Sequence, residues 1–229
     1  VHMNMVTGSG VLLELVEPEK MRPEYVPVNI EIEAALPADE EDAVRQRILD
    51  AARDLYIENG LRRTTMEDVA KRAGMGRATL YRRFSEKDQL FQALVLRDVQ
   101  RDLVLIENAI RSISSALDGL LEAFVQACGL THRNALLSHL LNKEPDHVLP
   151  YLTSGFEVIM QFSRIYLAGQ ITRAQQAGHI RDLPADMTAE MIMRMMHSMM
   201  LSPRGVIDPG DEVSLRRFAE LYLRPLLTP

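Results

Sequence analysis

The residues best suited to bind a partner through hydrogen bonds and charge are concentrated between positions 77 and 87. They are Arg77, Thr79, Tyr81, Arg82, Arg83 and Lys87. On one helix, two arginines and a hydroxyl could contact base edges, and the other side chains could contact phosphates. These residue types at this spacing predict noncovalent recognition of nucleic acid. The simpler alternative is a helical hairpin with a solvated basic face.

A second set of reactive side chains gives a weaker signal. Cys128 and His132 are four residues apart and His139 follows seven residues later, a spacing that suggests a metal sensor. We expect Gly129 and Thr131 to break the helix between the first two, and the chain has one cysteine, so a second thiolate ligand is lacking. Cys128 also lies in an apolar run, where a thiol is usually inert. We therefore predict no metal ion and no cofactor.

Enzyme motifs are not found in the chain. There is no phosphate-binding loop, no serine or cysteine nucleophile motif and no HExxH sequence. The 229 residues are 47% hydrophobic and contain no tryptophan, and leucine, alanine and methionine dominate, which favours helices. The single cysteine fits a reducing compartment, and neither a membrane span nor a secretory signal is recognisable. We expect a cytoplasmic, all-helical protein that is not an enzyme and does not bind a membrane.

Two short helices joined by a tight turn must position the basic residues. Thr65 is the expected N-cap of a helix over Met66–Ala73, and Gly74 is expected to end it. A second helix is predicted over Arg77–Phe84. An alanine in the first helix, a glycine in the turn and an apolar residue in the second, here Ala70, Gly74 and Leu80, are typical of a helix-turn-helix.

The charge distribution supports this interpretation although the net charge is −6. Residues 43–101 contain 13 basic and 8 acidic side chains, whereas residues 1–42 contain 2 basic and 10 acidic ones. The positive charge therefore coincides with the helix-turn-helix, and the local field matters more than the total charge for binding a polyanion.

The stretch from Ile48 through Leu90 resembles the DNA-binding domain of the TetR (tetracycline-repressor-like) family. The matching residues are Ile48, Ala51, Ala52, Leu55, Gly60, Thr64, Thr65, Val69, Ala70, Ala73, Gly74, Thr79, Leu80, Tyr81, Phe84, Lys87 and Leu90. The resemblance implies an all-α fold, with a three-helix DNA-binding domain followed by a helical ligand-binding and dimerisation domain. We place these domains at residues 42–90 and 91–229.

The resemblance also implies which residues contact DNA. Thr64 or Thr65, Tyr81 and Lys87 would contact phosphates, and Arg83 would add a further contact. Base choice would then fall to Arg77, Ala78, Thr79 and Arg82. Gly76, where many members have serine or threonine, can still cap a helix.

Residues 1–41 form an acidic extension. Val26, Val28, Ile30 and Ile32 alternate with polar residues and proline, a strand signal, so a short β hairpin could form here. Many family members carry a short basic arm at this position. We hypothesise that the acidic arm instead weakens DNA binding.

Helices continue to the end of the chain, and the resemblance implies that the last two form a four-helix bundle with a second subunit. The expected interface residues are Met191, Met195, Met196, Met199, Leu215, Phe218 and Tyr222. A small-molecule site is implied inside the body, with walls from residues 115–129, 132–142 and 156–176. The candidate ligand contacts are Phe124, Cys128, His132, Tyr151, Phe156, Met160, Phe162 and Tyr166.

The sequence therefore predicts a dimeric transcriptional regulator, by resemblance a repressor, that binds a palindromic double-stranded DNA operator. Because few charges lie in the body helices, we expect an apolar or aromatic effector to release it. The alternative is a ligand-binding or protein-interaction module of the same fold that does not bind DNA. The acidic net charge and acidic extension favour this alternative.

Overall fold

Every regular element between residues 40 and 229, the part of the chain that the computed structural model describes, is helical. The elements are α1 (Glu40–Asn59), α2 (Met66–Arg72), α3 (Arg77–Arg83), α4 (Lys87–Ile110), α5 (Ala116–Arg133), α6 (Ala135–Lys143), α7 (Pro145–Leu152), α8 (Glu157–Gln176), α9 (Ala185–Leu201), α10 (Glu212–Phe218) and α11 (Arg224–Leu227). The predicted all-α class is confirmed for this part. The predicted β hairpin lies outside the described residues.

Local signals fix both ends of α2. The Thr65 hydroxyl accepts a hydrogen bond from the Asp68 N–H at 3.2 Å, and the Asp68 carboxylate accepts one from the Thr65 N–H at 3.0 Å. This reciprocal pair satisfies two backbone donors that a helix start leaves free. At the other end, Gly74 has a φ of +68°, and the N–H groups of Gly74 and Met75 donate to the carbonyls of Lys71 and Ala70. This is a Schellman C-cap. The motif requires a positive φ at the residue after the helix, and glycine adopts a positive φ at the least cost.

The start of α4 follows Ser85, a residue type that commonly caps a helix with its hydroxyl. Glu86 is the N-cap and its side chain makes no capping hydrogen bond. Ser85 instead donates its N–H to the side-chain oxygen of Gln89 at 2.9 Å. The long Gln89 side chain thus reaches back over the first turn to accept a backbone N–H that precedes the helix, as the third helical residue of a capping box does.

One apolar core joins the first four helices to part of the body. Ile48, Tyr56, Leu80 and Phe84 lie in the same buried cluster as residues of α4, and this cluster continues through α6 and α7 to the start of α8. The members beyond α4 are Leu136, Leu137, Leu140, Val148, Leu152, Phe156 and Ile159. The helix-turn-helix head therefore completes its core with residues between Leu136 and Ile159, far along the chain.

A second core holds the rest of the body. Residues of α5, α8, α9 and the C-terminal helices form it, among them Phe124, Ile171, Ala189 and Leu223. The predicted helix break at Gly129 and Thr131 is wrong, because α5 continues to Arg133. A glycine inside a helix costs only about 1 kcal/mol, which the burial of neighbours such as Val125 and Cys128 offsets.

The predicted last helix is interrupted by one wide turn. Between α10 and α11 the backbone forms a π-helical turn over Ala219–Leu223, closed by a hydrogen bond from the Arg224 N–H to the Ala219 carbonyl. Pro225 follows directly. It has no N–H to donate and its ring would clash with the carbonyl four residues earlier, so the wider turn accommodates it.

Candidate nucleic-acid interface and effector cavity

The outer face of α3 carries most of the residues predicted to contact DNA. Arg77 has 71% of its side chain exposed, Tyr81 is 43% exposed, and Ala78 and Arg82 are also exposed. Leu80 and Phe84 point the opposite way and are fully buried. The spacing of the exposed positions, which includes pairs four apart, gives one continuous surface on the helix. Thr79 and Arg83 flank this surface and are half-buried.

An ion pair crosses from α2 to α3 at this surface. The Arg77 guanidinium lies 3.3 Å from the Glu67 carboxylate. Because both side chains are well exposed, the pair contributes little to stability and can be exchanged for a contact to DNA. On the far side of α2, Arg72 and Glu58 form a two-pronged pair at 3.0 and 2.7 Å, and the hydrogen bond from Arg72 lowers the pKa of Glu58. This pair ties α2 to α1.

Thr64 cannot contact a phosphate as predicted. It is 1% exposed, and its hydroxyl donates to the carbonyls of Gly60 at 2.8 Å and Leu55 at 3.2 Å. Its hydroxyl therefore satisfies backbone acceptors at the end of α1. Thr65 next to it is exposed, and its hydroxyl is engaged in the cap of α2.

Lys87 has a structural role that the sequence did not indicate. Its ammonium group donates to the carbonyls of Leu61 at 3.0 Å and Thr64 at 3.3 Å, and lies 3.5 Å from that of Arg62. An ammonium group has three hydrogens, so these carbonyls can use all of them. Lys87 thus holds the loop between α1 and α2 against the start of α4.

A cavity of about 160 Å³ lies in the body between α4, α5, α6, α8 and α9. Its wall is mostly apolar, and four of the eight predicted ligand contacts line it: Phe124, Phe156, Met160 and Tyr166. The Tyr166 hydroxyl donates to the Glu107 carboxylate. That hydrogen bond and, more strongly, burial raise the pKa of Tyr166.

The other four predicted ligand contacts are not part of the wall. Cys128 is buried in the second core, where desolvation raises its pKa to about 12, and His132 is exposed on the surface. The Tyr151 ring packs edge-on against Phe91, with ring centroids 5.0 Å apart. Phe162 is buried but is not a wall residue. The sequence predicts where the body helices lie along the chain. It does not predict how each helix is rotated about its axis, and this rotation determines which side chains face the cavity.

Sequence reasoning missed the walls formed by α4 and α9. The first contributes Asp98 and Asp102, one turn apart, and the second contributes Met193, Met196 and His197. The His197 ring stacks on Phe156 with centroids 5.0 Å apart, and its Nε2 lies 2.6 Å from the Leu152 carbonyl. Because a carbonyl only accepts, Nε2 carries a proton. Two acidic residues within an otherwise apolar helical stripe were the available signal.

Two ion pairs connect α4 to α1 close to the cavity. Asp98 is 8% exposed and pairs with Arg53. Arg97 is 5% exposed and lies 2.7 Å from the Asp50 carboxylate. Because Asp98 both lines the cavity and pairs with Arg53, the cavity wall is joined directly to α1, the first helix of the head.

The predicted dimer residues fall into different environments. Tyr222 is 64% and Met191 38% exposed. Leu215 is 1% exposed in the body's own core, so it is not available to a partner, and Met196 lines the cavity. The remaining three, Met195, Met199 and Phe218, are half-buried against the second core.

Two kinds of feature are not seen in residues 40–229. No three histidine, cysteine or acidic side chains are grouped so that they could hold a metal ion. No described helix has the length and apolarity needed to cross a bilayer.

Comparison with known proteins agrees with the geometry of the head. Residues 48–94 match the family model described as bacterial regulatory proteins, tetR family. The chain is 29% identical over 168 residues to the HTH-type transcriptional regulator UidR of Escherichia coli K12, which covers 70% of this chain and 82% of UidR. Residues 48–94 are therefore a DNA-binding domain of the tetR-family type. The proteins that this chain resembles are DNA-binding transcriptional regulators of that family.

Solved structures of similar TetR-family proteins extend the likeness beyond the head. The TetR-family repressor AlkX from Dietzia, implicated in biodegradation of n-alkanes, is 26% identical, with a TM-score of 0.59 over 79% of this chain and 95% of AlkX. GusR of Salmonella enterica is also 26% identical, with a TM-score of 0.53 over 82% of this chain and 95% of GusR. The arrangement of body helices is thus similar to that of AlkX and GusR.

Proposed function

We propose that this protein is a dimeric TetR-family repressor that binds a palindromic operator and is released by a small molecule in the body cavity. The observation that carries this proposal is the course of α4. Its first turns, with Leu90, Phe91 and Leu94, pack in the core of the head. Its later turns, from Val95 to Ile106, line the cavity. A ligand that shifts α4 would therefore move the head.

In the bound state, α3 of each subunit would lie in a major groove. Arg77 and Arg82 are the candidates for bidentate bonds to guanine, with Ala78 and Thr79 beside them. Tyr81, Thr65 and Arg83 are the candidates for phosphate contacts. For a two-fold dimer, the two α3 helices would be about 34–36 Å apart, one turn of DNA.

Release would follow from different ligand affinities in two conformations. A ligand can shift an equilibrium only by the difference in its affinity for the two states. In this chain, a ligand against α4 would favour a position of α4 in which the two heads no longer match successive grooves. The pairs Arg53–Asp98 and Arg97–Asp50 would transmit that shift to α1.

The partner subunit would cover apolar residues of α9 and the C-terminal helices. Met187, Leu221 and Tyr222 are 72%, 55% and 64% exposed, and Met191 is 38% exposed. Large exposed apolar side chains on elements that pack into the same core are typical of an interface. The predominantly apolar cavity supports an effector with an apolar or aromatic body, and AlkX, the repressor implicated in n-alkane biodegradation, is a relative of similar fold.

The test is a fluorescence-anisotropy titration with DNA from the region upstream of the gene, at two salt concentrations. Arg82→Ala should reduce discrimination between operator and altered bases by about 1–3 kcal/mol, the range for a bidentate pair. Tyr81→Phe should weaken binding to all sequences alike. The matched control is Arg204→Ala, an exposed arginine in the loop before α10. If both head variants bound like the unmodified protein, docking through α3 would be wrong.

The same titration tests the acidic extension. Residues 1–41 contain 2 basic and 9 acidic side chains, and such a segment would repel or compete with phosphates. We expect removal of residues 1–40 to tighten DNA binding, most clearly at low salt. Unchanged affinity would contradict the hypothesis.

A further inference from the structure

The α4 side of the cavity carries two carboxylates in an otherwise apolar wall. Asp98 and Asp102 are four residues apart on one helix, so they lie on the same face, and both line the cavity. The wall residues outside α4 include polar side chains such as Ser163 and Tyr166, but no further carboxylate and no lysine or arginine. The electrostatic character of the cavity is therefore set at this one end.

The two carboxylates are not equivalent. Asp98 pairs with Arg53 and lies 3.4 Å from the side-chain nitrogen of Asn134. Asp102 makes no hydrogen bond or ion pair with any residue between 43 and 229. Burial and the nearby negative charge of Asp98 raise the pKa of Asp102 to about 6. At neutral pH the cavity thus contains one ionised carboxylate whose charge is not neutralised by a direct partner, a state that costs free energy.

The size of the cavity limits the ligand. A buried apolar cavity of roughly 150 Å³ is known to hold benzene, and this cavity has about 160 Å³. It therefore has room for one aromatic ring with a short substituent. Phe124, Phe156 and Met160 supply the apolar surfaces that such a ring would contact.

We propose that the cavity binds a small protonated arylalkyl amine, with its ring among the apolar side chains and its ammonium group on Asp102. Asp98 stays paired with Arg53, so Asp102 is the carboxylate left to bind a cation. The inference rests on the proposed function, because it names the chemical class of the effector for the same cavity. The ammonium would donate to Asp102 in an environment of low polarity, where a charge-assisted hydrogen bond is strong.

Several titratable groups face Asp102 and bear on the pH dependence of binding. Arg53 comes from α1 and Asp98 from α4 itself. In the walls formed by α8 and α9, the titratable groups are Tyr166 and His197. The wall residues of α5 and α6 have no titratable side chain.

The experiment is calorimetric titration of the full chain, without DNA, with benzylamine, benzyl alcohol and benzoate. At pH 8 benzylamine should bind at least about tenfold more tightly than benzyl alcohol, and benzoate should not bind measurably. Since a carboxyl with a pKa of about 6 is only about one-tenth ionised at pH 5, the benzylamine affinity should fall about tenfold from pH 8 to pH 5. The alcohol affinity should not follow this trend.

The decisive variant is Asp102→Asn, which keeps the shape of the side chain and removes its charge. It should abolish both the preference for the amine and its dependence on pH. Asp182→Asn, which removes an exposed charge outside the wall, should change neither. A pH dependence that persists in Asp102→Asn would belong to another group, such as His197, and would overturn the proposal. If the variant does not fold, the pH dependence and the probe preference of the unmodified protein decide whether the cavity binds a protonated amine.

The remaining outcomes are also decisive. Equal binding of amine and alcohol, or no binding of any probe, would overturn the amine class. Operator binding is measured separately, so the two proposals can fail independently. A protein that binds its operator but not benzylamine keeps the proposed function and loses the inference. A protein that binds benzylamine but no operator does the reverse.

Discussion

One residue of the head, Gly74, has a role that depends on backbone conformation and not on side-chain contacts. A Cβ atom added there would meet nothing within 4 Å, and yet its φ is +68°. Any penalty for a side chain at this position therefore comes from the backbone alone. The turn between α2 and α3 requires that conformation.

We expect Gly74→Ala to lower the free energy of unfolding by about 1–2 kcal/mol, the cost of a left-handed conformation for an L residue. The matched control is Gly119→Ala inside α5, where an added Cβ also meets nothing within 4 Å and φ is not positive. That change should be neutral or stabilising by up to about 1 kcal/mol. Urea denaturation followed by circular dichroism measures both. Equal effects of the two changes would show that the turn does not impose its conformation.

A second prediction for a single residue concerns Asp102 and the free energy of unfolding in the absence of ligand. Its pKa is about 6 in the folded protein and near 3.8 when unfolded, so folding favours the protonated form. The penalty is therefore absent below about pH 4, grows as the pH rises toward 6, and is complete above it. We expect Asp102→Asn to stabilise the protein by about 1–2 kcal/mol at pH 7.5, after allowance for solvent screening.

The measurement is urea denaturation of Asp102→Asn and of the unmodified protein at pH 7.5 and at pH 4. The difference between them should shrink to a small fraction at pH 4, where the unfolded carboxyl is itself partly protonated. Asp182→Asn again serves as the control, because its carboxylate is exposed. A stabilisation that is the same at both pH values would contradict the assignment to ionisation.

At the scale of elements, short polar contacts hold the head against the body. The Tyr151 hydroxyl of α7 donates to the Asp88 carboxylate in the first turn of α4 at 2.6 Å. Next to it, the Glu144 carboxylate accepts the Arg62 N–H at 2.9 Å, and it lies so close to Gly60 that an added Cβ would be 2.4 Å away. These contacts connect the α6–α7 region to the loop between α1 and α2 and to the first turn of α4.

Tyr151→Phe should loosen the head while leaving the body unchanged. It removes one hydrogen bond worth about 1 kcal/mol and keeps the ring against Phe91. We expect faster amide hydrogen exchange in α2 and α3 and unchanged exchange in α8. Tyr222→Phe is the control, since that hydroxyl makes no hydrogen bond to a described residue. Equal exchange in α2 and α3 of both variants would mean that this bond does not hold the head.

The helices also show how much of the fold and of the cavity could be predicted from the sequence. The boundaries of α2 and α3 could be predicted because capping residues and Gly74 act locally. The cavity was predicted only in part. Phe124 and Phe156 line it, whereas the aspartates of α4 were missed, because a helical pattern shows which residues are apolar but not which of two apolar faces meets a void. The π-helical turn before Pro225 was missed for a similar reason, since a proline can either end a helix or distort it.

At the scale of the whole molecule, dimerisation determines whether two heads can reach one operator. Tyr222→Asp should place a charge in the proposed interface and weaken the dimer by about 2 kcal/mol or more, the scale of an aromatic hot spot. Val206→Asp introduces the same charge at a fully exposed apolar residue in the loop before α10 and should leave the dimer intact. Light scattering at micromolar concentration measures the assembly, and anisotropy measures operator binding. A dimer that survives Tyr222→Asp would place the interface elsewhere.

The shared core of the head and the α6–α7 region has a consequence for protein engineering. Chimeras that exchange DNA-binding domains between regulators assume that the domain carries its own hydrophobic core. In this chain that core is completed by Leu136, Leu140, Val148 and Leu152. A transplant cut within α4 would leave those side chains facing a foreign surface. Grafts that redesign α6 and α7 together with the incoming domain should fold, and grafts that keep them should aggregate.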